Sequence, residues 1–347
     1  MPKNINIGNK IIGDNQPCFI IAEAGSNHDG KYEQAIKLID LAVEANADAV
    51  KFQIFTAGKI AAKTNHEIAK LNSTHGQDLY ELYKKLEIPR QWIPKLKKYC
   101  DEKEIMFLAT PFDYDAVDSL EEIDIAAYKI ASFELVHLPL LRYVARTGKP
   151  IIFSTGMANM SEIETAIDTI TQEGNKDIIV LHCGISYPMP FDEVNIKAMN
   201  SIKSAFDVNV GYSDHTSGIV VPTVAVSLGA KAIEKHYTIN KCLSGPDHEF
   251  ALGPDELIEM VKSIRIAESI MGDGIKKPTE SEMIHRKRGR RSIFINKNLK
   301  KGHVLTLEDI EVLRPGVGIE TKHLNLVIGR ELKYDVNKYD PLTWELI

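Results

Sequence analysis

The sequence has little that would mark it for a membrane, a nucleic acid or an oxidising compartment. It contains no apolar run approaching the roughly 20 residues that a bilayer-spanning helix needs. Its opening stretch, MPKNINIGNKIIGDNQP, is polar and predicts no signal peptide. There is no excess of positive charge. The formal net charge is −6, whereas a general nucleic-acid binder carries a basic footprint. A small anionic substrate is still allowed, because it needs only a few local cations. Cysteine is scarce: Cys18, Cys100, Cys183 and Cys242 lie far apart with no CxxC, which predicts reduced thiols in a cytoplasmic protein and neither a disulfide framework nor a zinc site. No internal repeat or low-complexity tract occurs.

What the sequence does have is alternation. At 347 residues it is too long for one ordinary domain, and a large domain with a small one is expected. Residues 3–13 read as a small hairpin plugging one end of the larger domain. Strand-like runs then follow at 18–23, 49–53, 105–109, 127–131, 150–154, 178–183, 208–212 and 232–236. Helical patterns lie between them, such as YEQAIKLIDLAVEANA, MSEIETAIDTITQEG and TSGIVVPTVAVSLGAK, and PDELIEMVKSIRIAESIMG follows the last strand. Eight strands, each followed by a helical segment, predict an α/β protein with a (β/α)8 TIM barrel over 1–272. The charged, poorly periodic stretch 273–289 reads as a linker, with its basic run at 286–291 solvated. From 290 the pattern changes to short β-like runs, RSIFINKNL, HVLTL and IEVLR, before a turn at Pro315-Gly316. A small β-rich domain over 290–347 is predicted. A core that small is marginal alone, so the module is expected to dock on something.

In a closed parallel barrel, alternate residues of each strand face the interior, and an active site forms at the carboxyl ends of the strands. Lys51 shares a face with Gln53, and Glu234 with His236. Glu23, Lys129, Ser154 and Ser213 end four other strands. Lys51 and Lys129, with Thr110, Ser132, Ser154 and Ser213, would make a cradle for a phosphate and a carboxylate. Taken singly, each lysine would be placed on the surface and each hydroxyl in a helix cap. The whole set at matching strand ends favours the site. His215 and His236 follow neighbouring parallel strands. Either they are core histidines, or they are two ligands of an exchangeable octahedral ion such as manganese, with Glu234 orienting His236. Glu134 is read as an acid–base group or a binder of a sugar hydroxyl. Asp247, in the SGPDHEF loop, is read as a polyol ligand or a turn cap.

These residues sit in stretches that resemble a known family. IAEAGSNHDG (21–30), AVKFQ (49–53), TPFD (110–113), YKIASFE (128–134), STGMA (154–158), HCGISYP (182–188), GYSDHTSG (211–218), EKHYT (234–238) and SGPDH (244–248) are similar to the sialic acid synthase family. That family includes N-acetylneuraminate, legionaminate and pseudaminate synthases and spore-coat polysaccharide homologues. GRRSIFINKNLKKG…LRPGVGI (289–319) resembles its C-terminal antifreeze-like (SAF) domain. The resemblance implies a Mn2+-dependent condensation of phosphoenolpyruvate with an open-chain N-acetylated amino sugar, giving a nine-carbon 2-keto sugar acid and phosphate. It further implies that His215 and His236 hold the metal, and that Lys51, Thr110, Lys129, Ser132, Ser154 and Ser213 hold phosphoenolpyruvate. Gln53, Glu134, Tyr187 and Asp247 would hold the sugar, and Glu23 would lie beside the reacting atoms. Arg314 would reach the site from the partner subunit of a domain-swapped homodimer.

Two departures bear on the acceptor. Ser132-Phe133-Glu134 stands where the N-acetylneuraminate branch usually has Ser-Gly-Glu, and Gly184-Ile185 follows His-Cys, where polar residues are common. SGPDH nonetheless looks like the neuraminic and legionaminic branches. Phe133 and Ile185 would suit a 6-deoxy sugar, so N-acetylmannosamine and a 2,4-diacetamido-2,4,6-trideoxyhexose both stay open. Two rivals stand beside this reading: a Schiff-base aldolase using Lys129, and a non-catalytic sugar-binding protein with an antifreeze-like module.

Overall fold

The computed structural model describes residues 2–64 and 79–347. The chain divides into two compact units, Met1–Met271 and Gly272–Ile347.

In the first unit, β1 (Ile5–Ile7) and β2 (Lys10–Ile12) form an antiparallel hairpin. Then come β3 (Phe19–Gly25), β4 (Ala49–Ile54), β5 (Met106–Pro111), β6 (Tyr128–Ile130), β7 (Ile151–Ser154), β8 (Ile178–Cys183), β9 (Asn209–Asp214) and β10 (Ala232–His236). These eight strands are parallel neighbours in chain order, and β10 pairs with β3 to close the barrel. Each expected strand is present within two residues of its expected limits. Outside the barrel run helices such as Tyr32–Glu44, Ile93–Glu102, Met160–Gln172 and Pro254–Ile270, each burying an apolar face. Among the shorter helices is Tyr114–Glu121. It is only eight residues long, buries Ala116, Val117 and Leu120, and is started by Asp113, whose carboxylate accepts from Ala116 N.

The inward-facing series of the strands explains both the core and the site. Phe19 and Ile21 precede Glu23; Ala49 precedes Lys51 and Gln53; Leu108 precedes Thr110; Ala127 precedes Lys129; Ile152 precedes Ser154; and Ala232 precedes Glu234 and His236. The apolar members form one cluster with Ile179, Leu181 and the hairpin residues Ile5, Ile7 and Ile12. The hairpin therefore plugs the amino end, where burial of apolar surface needs no partner chemistry. The polar members of the same series line the carboxyl end. Gly211 keeps β9 close to β10, since a Cβ there would lie 2.2 Å from the Ala232 carbonyl oxygen.

Part of the stretch 273–289, read as a linker, forms a helix, Glu280–Gly289. Thr279 and Glu282 make a capping box, and Arg286, Lys287 and Arg288 occupy the last turn, where cations complement the helix dipole. None of its residues is buried, so it shows no apolar period. Strands β11 (Ser292–Ile295) and β12 (Ile310–Leu313) pair antiparallel. They pack into a core with Leu305, Ile319, Val327, Leu332 and Leu342. The expected HVLTL strand is reduced to one bridge, Val304 to Glu331. Among the described residues no helix is long and apolar enough to cross a membrane. All four cysteines are free, with Cys18, Cys100 and Cys183 buried.

Candidate active site

The carboxyl end of the barrel opens into a cavity of about 260 Å³. Its wall includes Glu23, Lys51, Gln53, Thr110, Lys129, Ser132, Ser154, Tyr187, Ser213, His215, His236 and Asp247. At its floor four charges interlock. Lys51 Nζ lies 2.8 Å from Glu23 Oε2 and 3.8 Å from Glu234 Oε2, and Lys129 Nζ lies 3.5 Å from Glu234 Oε1. Lys51 also donates to Thr110 Oγ1 at 2.9 Å, Gln53 Nε2 to Glu23 Oε1 at 2.9 Å, and Ser213 Oγ to Glu234 Oε1 at 2.9 Å. All four charged groups are nearly inaccessible. Burial alone would pull Lys51 down, but Glu23 and Glu234 more than offset it, so this ammonium stays charged. For Lys129 burial wins and its pKa falls, opposed chiefly by Glu234. Burial would raise Glu234, yet the two lysines hold it below the usual carboxylate range.

Glu234 therefore does not orient His236, as its position two residues away in the chain had led us to expect. Its Oε1 accepts from Ser213 and faces Lys129, and its Oε2, which has no hydrogen-bond partner, lies nearest Lys51. Beside His236 Nδ1, at 3.7 Å, lies Asp247 Oδ2, which also accepts from Ser26 Oγ at 3.0 Å. The His215 and His236 ring centroids are 5.4 Å apart. Tyr187 packs on His215 at 4.4 Å. Gly25, with φ +53°, brings its turn under this pair: a Cβ there would meet Asp247 Oδ2 at 2.8 Å and His236 Nδ1 at 3.1 Å.

Glu134 lies in a 3-10 turn, Ser132–Glu134, after β6; Ser132 and Phe133 line the cavity and Glu134 stands just behind them in the chain, outside the lining, its Oε2 buried with no hydrogen-bond partner. Burial pushes its carboxyl up to about 7, against the pull of Lys129. Ser154 Oγ is likewise buried and unpartnered. Buried polar atoms left without a protein partner mark a place built for something else. Arg314 belongs to the second unit, directly after β12 and before the cis peptide to Pro315.

Two family models match the chain: the NeuB family over residues 38–276 and the SAF domain over 290–347. The chain belongs to the NeuB family. It is 40% identical over 346 residues to the N,N'-diacetyllegionaminic acid synthase of Legionella pneumophila, covering 98% of this chain and 97% of that one. It is 43% identical over 325 residues to the spore coat polysaccharide biosynthesis protein SpsE of Bacillus subtilis, covering 89% and 87%. The crystal structure of the N-acetylneuraminic acid (sialic acid) synthetase from Leptospira borgpetersenii, solved with citrate, matches with a TM-score of 0.75 at 38% identity, covering 82% of this chain and 95% of that one.

Does this NeuB-family site suit a divalent ion? His215 Nδ1 lies 2.7 Å from the Gly184 carbonyl oxygen, so Nδ1 carries the proton and Nε2 the lone pair. Burial, with His236 beside it, lowers His215 to about 3 and keeps the imidazole neutral. His236 Nδ1 has no hydrogen-bond partner. Among the described residues no group of three or more His, Cys, Asp or Glu is arranged to hold a metal. The pair fits an ion that keeps positions for water and substrate oxygens, not a closed structural zinc.

Sequence reasoning missed one wall of the cavity. Phe55 stacks edge-on against Tyr83 at 5.5 Å and Phe112 at 5.7 Å, and Leu82 and Leu86 join them. Phe133 and Ile185 line the cavity as well. No polar signature flagged the first group, because an apolar side chain at a strand or helix end reads as core.

Proposed function

We propose that the protein is a nonulosonic acid synthase. It joins C3 of phosphoenolpyruvate to the aldehyde carbon of an open-chain N-acetylated amino sugar, yielding a nine-carbon 2-keto sugar acid and inorganic phosphate. The observation that carries this reading is the pair of buried lysines facing one cavity with a row of hydroxyls and two imidazoles. Membership of a family that includes the N,N'-diacetyllegionaminic acid synthase of Legionella pneumophila among its relatives supports it.

Lys51 and Lys129, with Thr110, Ser132, Ser154 and Ser213, supply cations and donors for the phosphate and carboxylate of phosphoenolpyruvate. Ser132 Oγ is preset, accepting from Gly156 N at 2.9 Å. A divalent ion, Mn2+ in this reading, held by His215 and His236 would polarise the acceptor's aldehyde oxygen. Attack by C3 leaves positive charge at C2, which the buried Glu23 carboxylate is placed to offset. Water adds at C2, and phosphate leaves by cleavage of the C–O bond. Glu134, with its pKa near neutrality, is suited to give a proton to the alkoxide oxygen formed from the aldehyde or to take one from that water. Gln53, Tyr187 and Asp247 stand at the sugar end. The apolar walls at Phe133, Ile185 and Phe112 favour a 2,4-diacetamido-2,4,6-trideoxy sugar, whose methyl groups they would cover, over N-acetylmannosamine. The name of the Legionella relative points the same way. We assign the enzyme to the cytoplasm, acting as a homodimer whose partner subunit contributes Arg314.

The deciding experiment measures phosphate release from phosphoenolpyruvate with Mn2+. N-acetylmannosamine, 2,4-diacetamido-2,4,6-trideoxymannose and the corresponding altrose are offered separately. Turnover with the trideoxymannose, abolished by EDTA, is expected. Borohydride trapping of Lys129 with a keto acid, without phosphate release, would instead favour the aldolase reading that the lowered pKa of Lys129 admits.

A further inference from the structure

Asp247 reaches the site on a loop with no regular structure, between β10 and the helix Pro254–Ile270. A loop carboxylate gains nothing from the barrel's rigidity unless something fixes the loop. The next residue does this. His248 is fully buried and uses both ring nitrogens. Nε2 lies 3.0 Å from Asp29 Oδ1, and Nδ1 lies 2.6 Å from Thr238 Oγ1. A carboxylate only accepts, so Nε2 carries a proton toward Asp29. Asp29 is itself pinned, because its Oδ2 accepts from Gln34 Nε2 at 2.7 Å, and the same amide donates to the Asn27 carbonyl at 2.6 Å. Asn27 Nδ2 in turn donates to the Tyr237 carbonyl at 2.7 Å.

The two loops thus joined follow β3 and β10, the first and last barrel strands, which pair with each other. Close approach is built in at Gly245, where a Cβ would lie 2.7 Å from His248 Cδ2 and 3.0 Å from Asp29 Oδ1. Neither His248 nor Asp29 lines the cavity, whereas Ser26 and Asp247, from the same two loops, do.

We propose that His248 and Asp29 form a clasp that positions Asp247, and through it governs affinity for the acceptor sugar and not for phosphoenolpyruvate. They are positioning residues and touch no substrate. The inference rests on the assignment of Asp247 to the acceptor. Loss of a hydrogen bond from a charged group weakens binding by roughly ten- to a hundredfold, so the acceptor KM should rise by about that factor in Asp29→Asn and His248→Ala, with the KM for phosphoenolpyruvate unchanged. His248→Gln, which keeps a donor toward Asp29, should recover part of the loss.

The test pairs steady-state kinetics, with 2,4-diacetamido-2,4,6-trideoxymannose and Mn2+, with amide hydrogen exchange on the full chain. Exchange should quicken in peptides covering 242–250 and 26–31 and stay unchanged in the barrel strands. The Asp247→Ala/His248→Ala double variant should be no worse for the acceptor than Asp247→Ala alone. Wild-type exchange of both loops in Asp29→Asn and His248→Ala would overturn the clasp whatever the acceptor proves to be. Equal rises in both KM values would overturn it as general loosening. A wild-type acceptor KM in Asp247→Ala, with the loops loosened in the clasp variants, would show instead that the reading of Asp247 fails and takes the positioning role with it.

Discussion

Glu134→Gln separates a structural carboxyl from a working one. In the folded protein burial holds Glu134 at about 7, against an ordinary value of 4.5. A raised carboxyl pKa means that the folded state binds the proton more tightly than the unfolded state. This contribution to stability is fully present below about pH 4.5 and is lost as pH rises through about 7. At 1.36 kcal/mol per unit, the loss is about 3 kcal/mol, taken as an upper figure. Glutamine matches the protonated carboxyl in shape and cannot ionise. The variant should therefore equal the wild type in stability near pH 4.5 and exceed it by up to about 3 kcal/mol at pH 8. Urea unfolding followed by circular dichroism at pH 5, 6, 7 and 8 reads this difference. A stability difference that is flat with pH would refute the burial argument. The kinetic half of the prediction is independent. If Glu134 moves a proton, the variant loses the limb of the kcat profile near pH 7 as well as most of kcat. A variant that retains that limb would leave Glu134 as a sugar ligand only.

Three further predictions concern other layers of the molecule. His236→Ala should lose metal-dependent turnover while its circular dichroism and unfolding midpoint stay near wild type, and full activity in that variant would remove the metal proposal. Lys235→Met should destabilise the barrel by about 3–5 kcal/mol, because it strips the buried Asp214 carboxylate of the ammonium 2.5 Å away; unfolding by urea reads this, and a loss under about 1 kcal/mol would contradict it. Phe133→Gly should shift preference toward N-acetylmannosamine, read as the ratio of kcat/KM for the two acceptors. An unchanged ratio would mean that this wall does not select.

The limits of the sequence follow from what a strand pattern encodes. A period of two tells which face a residue occupies, and that sufficed to place Lys51 with Gln53 and Glu234 with His236 in one cavity. It does not tell which side chain a residue meets, because residues two apart on a strand are separated by roughly 6–7 Å, further than neighbours on adjacent strands. In register, Ser213 on β9 stands opposite Glu234 on β10, and Lys51 on β4 opposite Glu23 on β3. Glu234 accordingly serves the lysines, and the neighbour of His236 comes from a loop. The same blindness hid Lys235, which faces outward between Glu234 and His236 and pairs with Asp214, its opposite on β9. The helix Glu280–Gly289 escaped for a different reason: its stability lies in caps and end charges, and a helix that buries nothing leaves no period to read. What the sequence carries is the layering of the barrel, apolar below and polar above. The partnership of each charge is a property of register, which appears only when the strands are laid side by side.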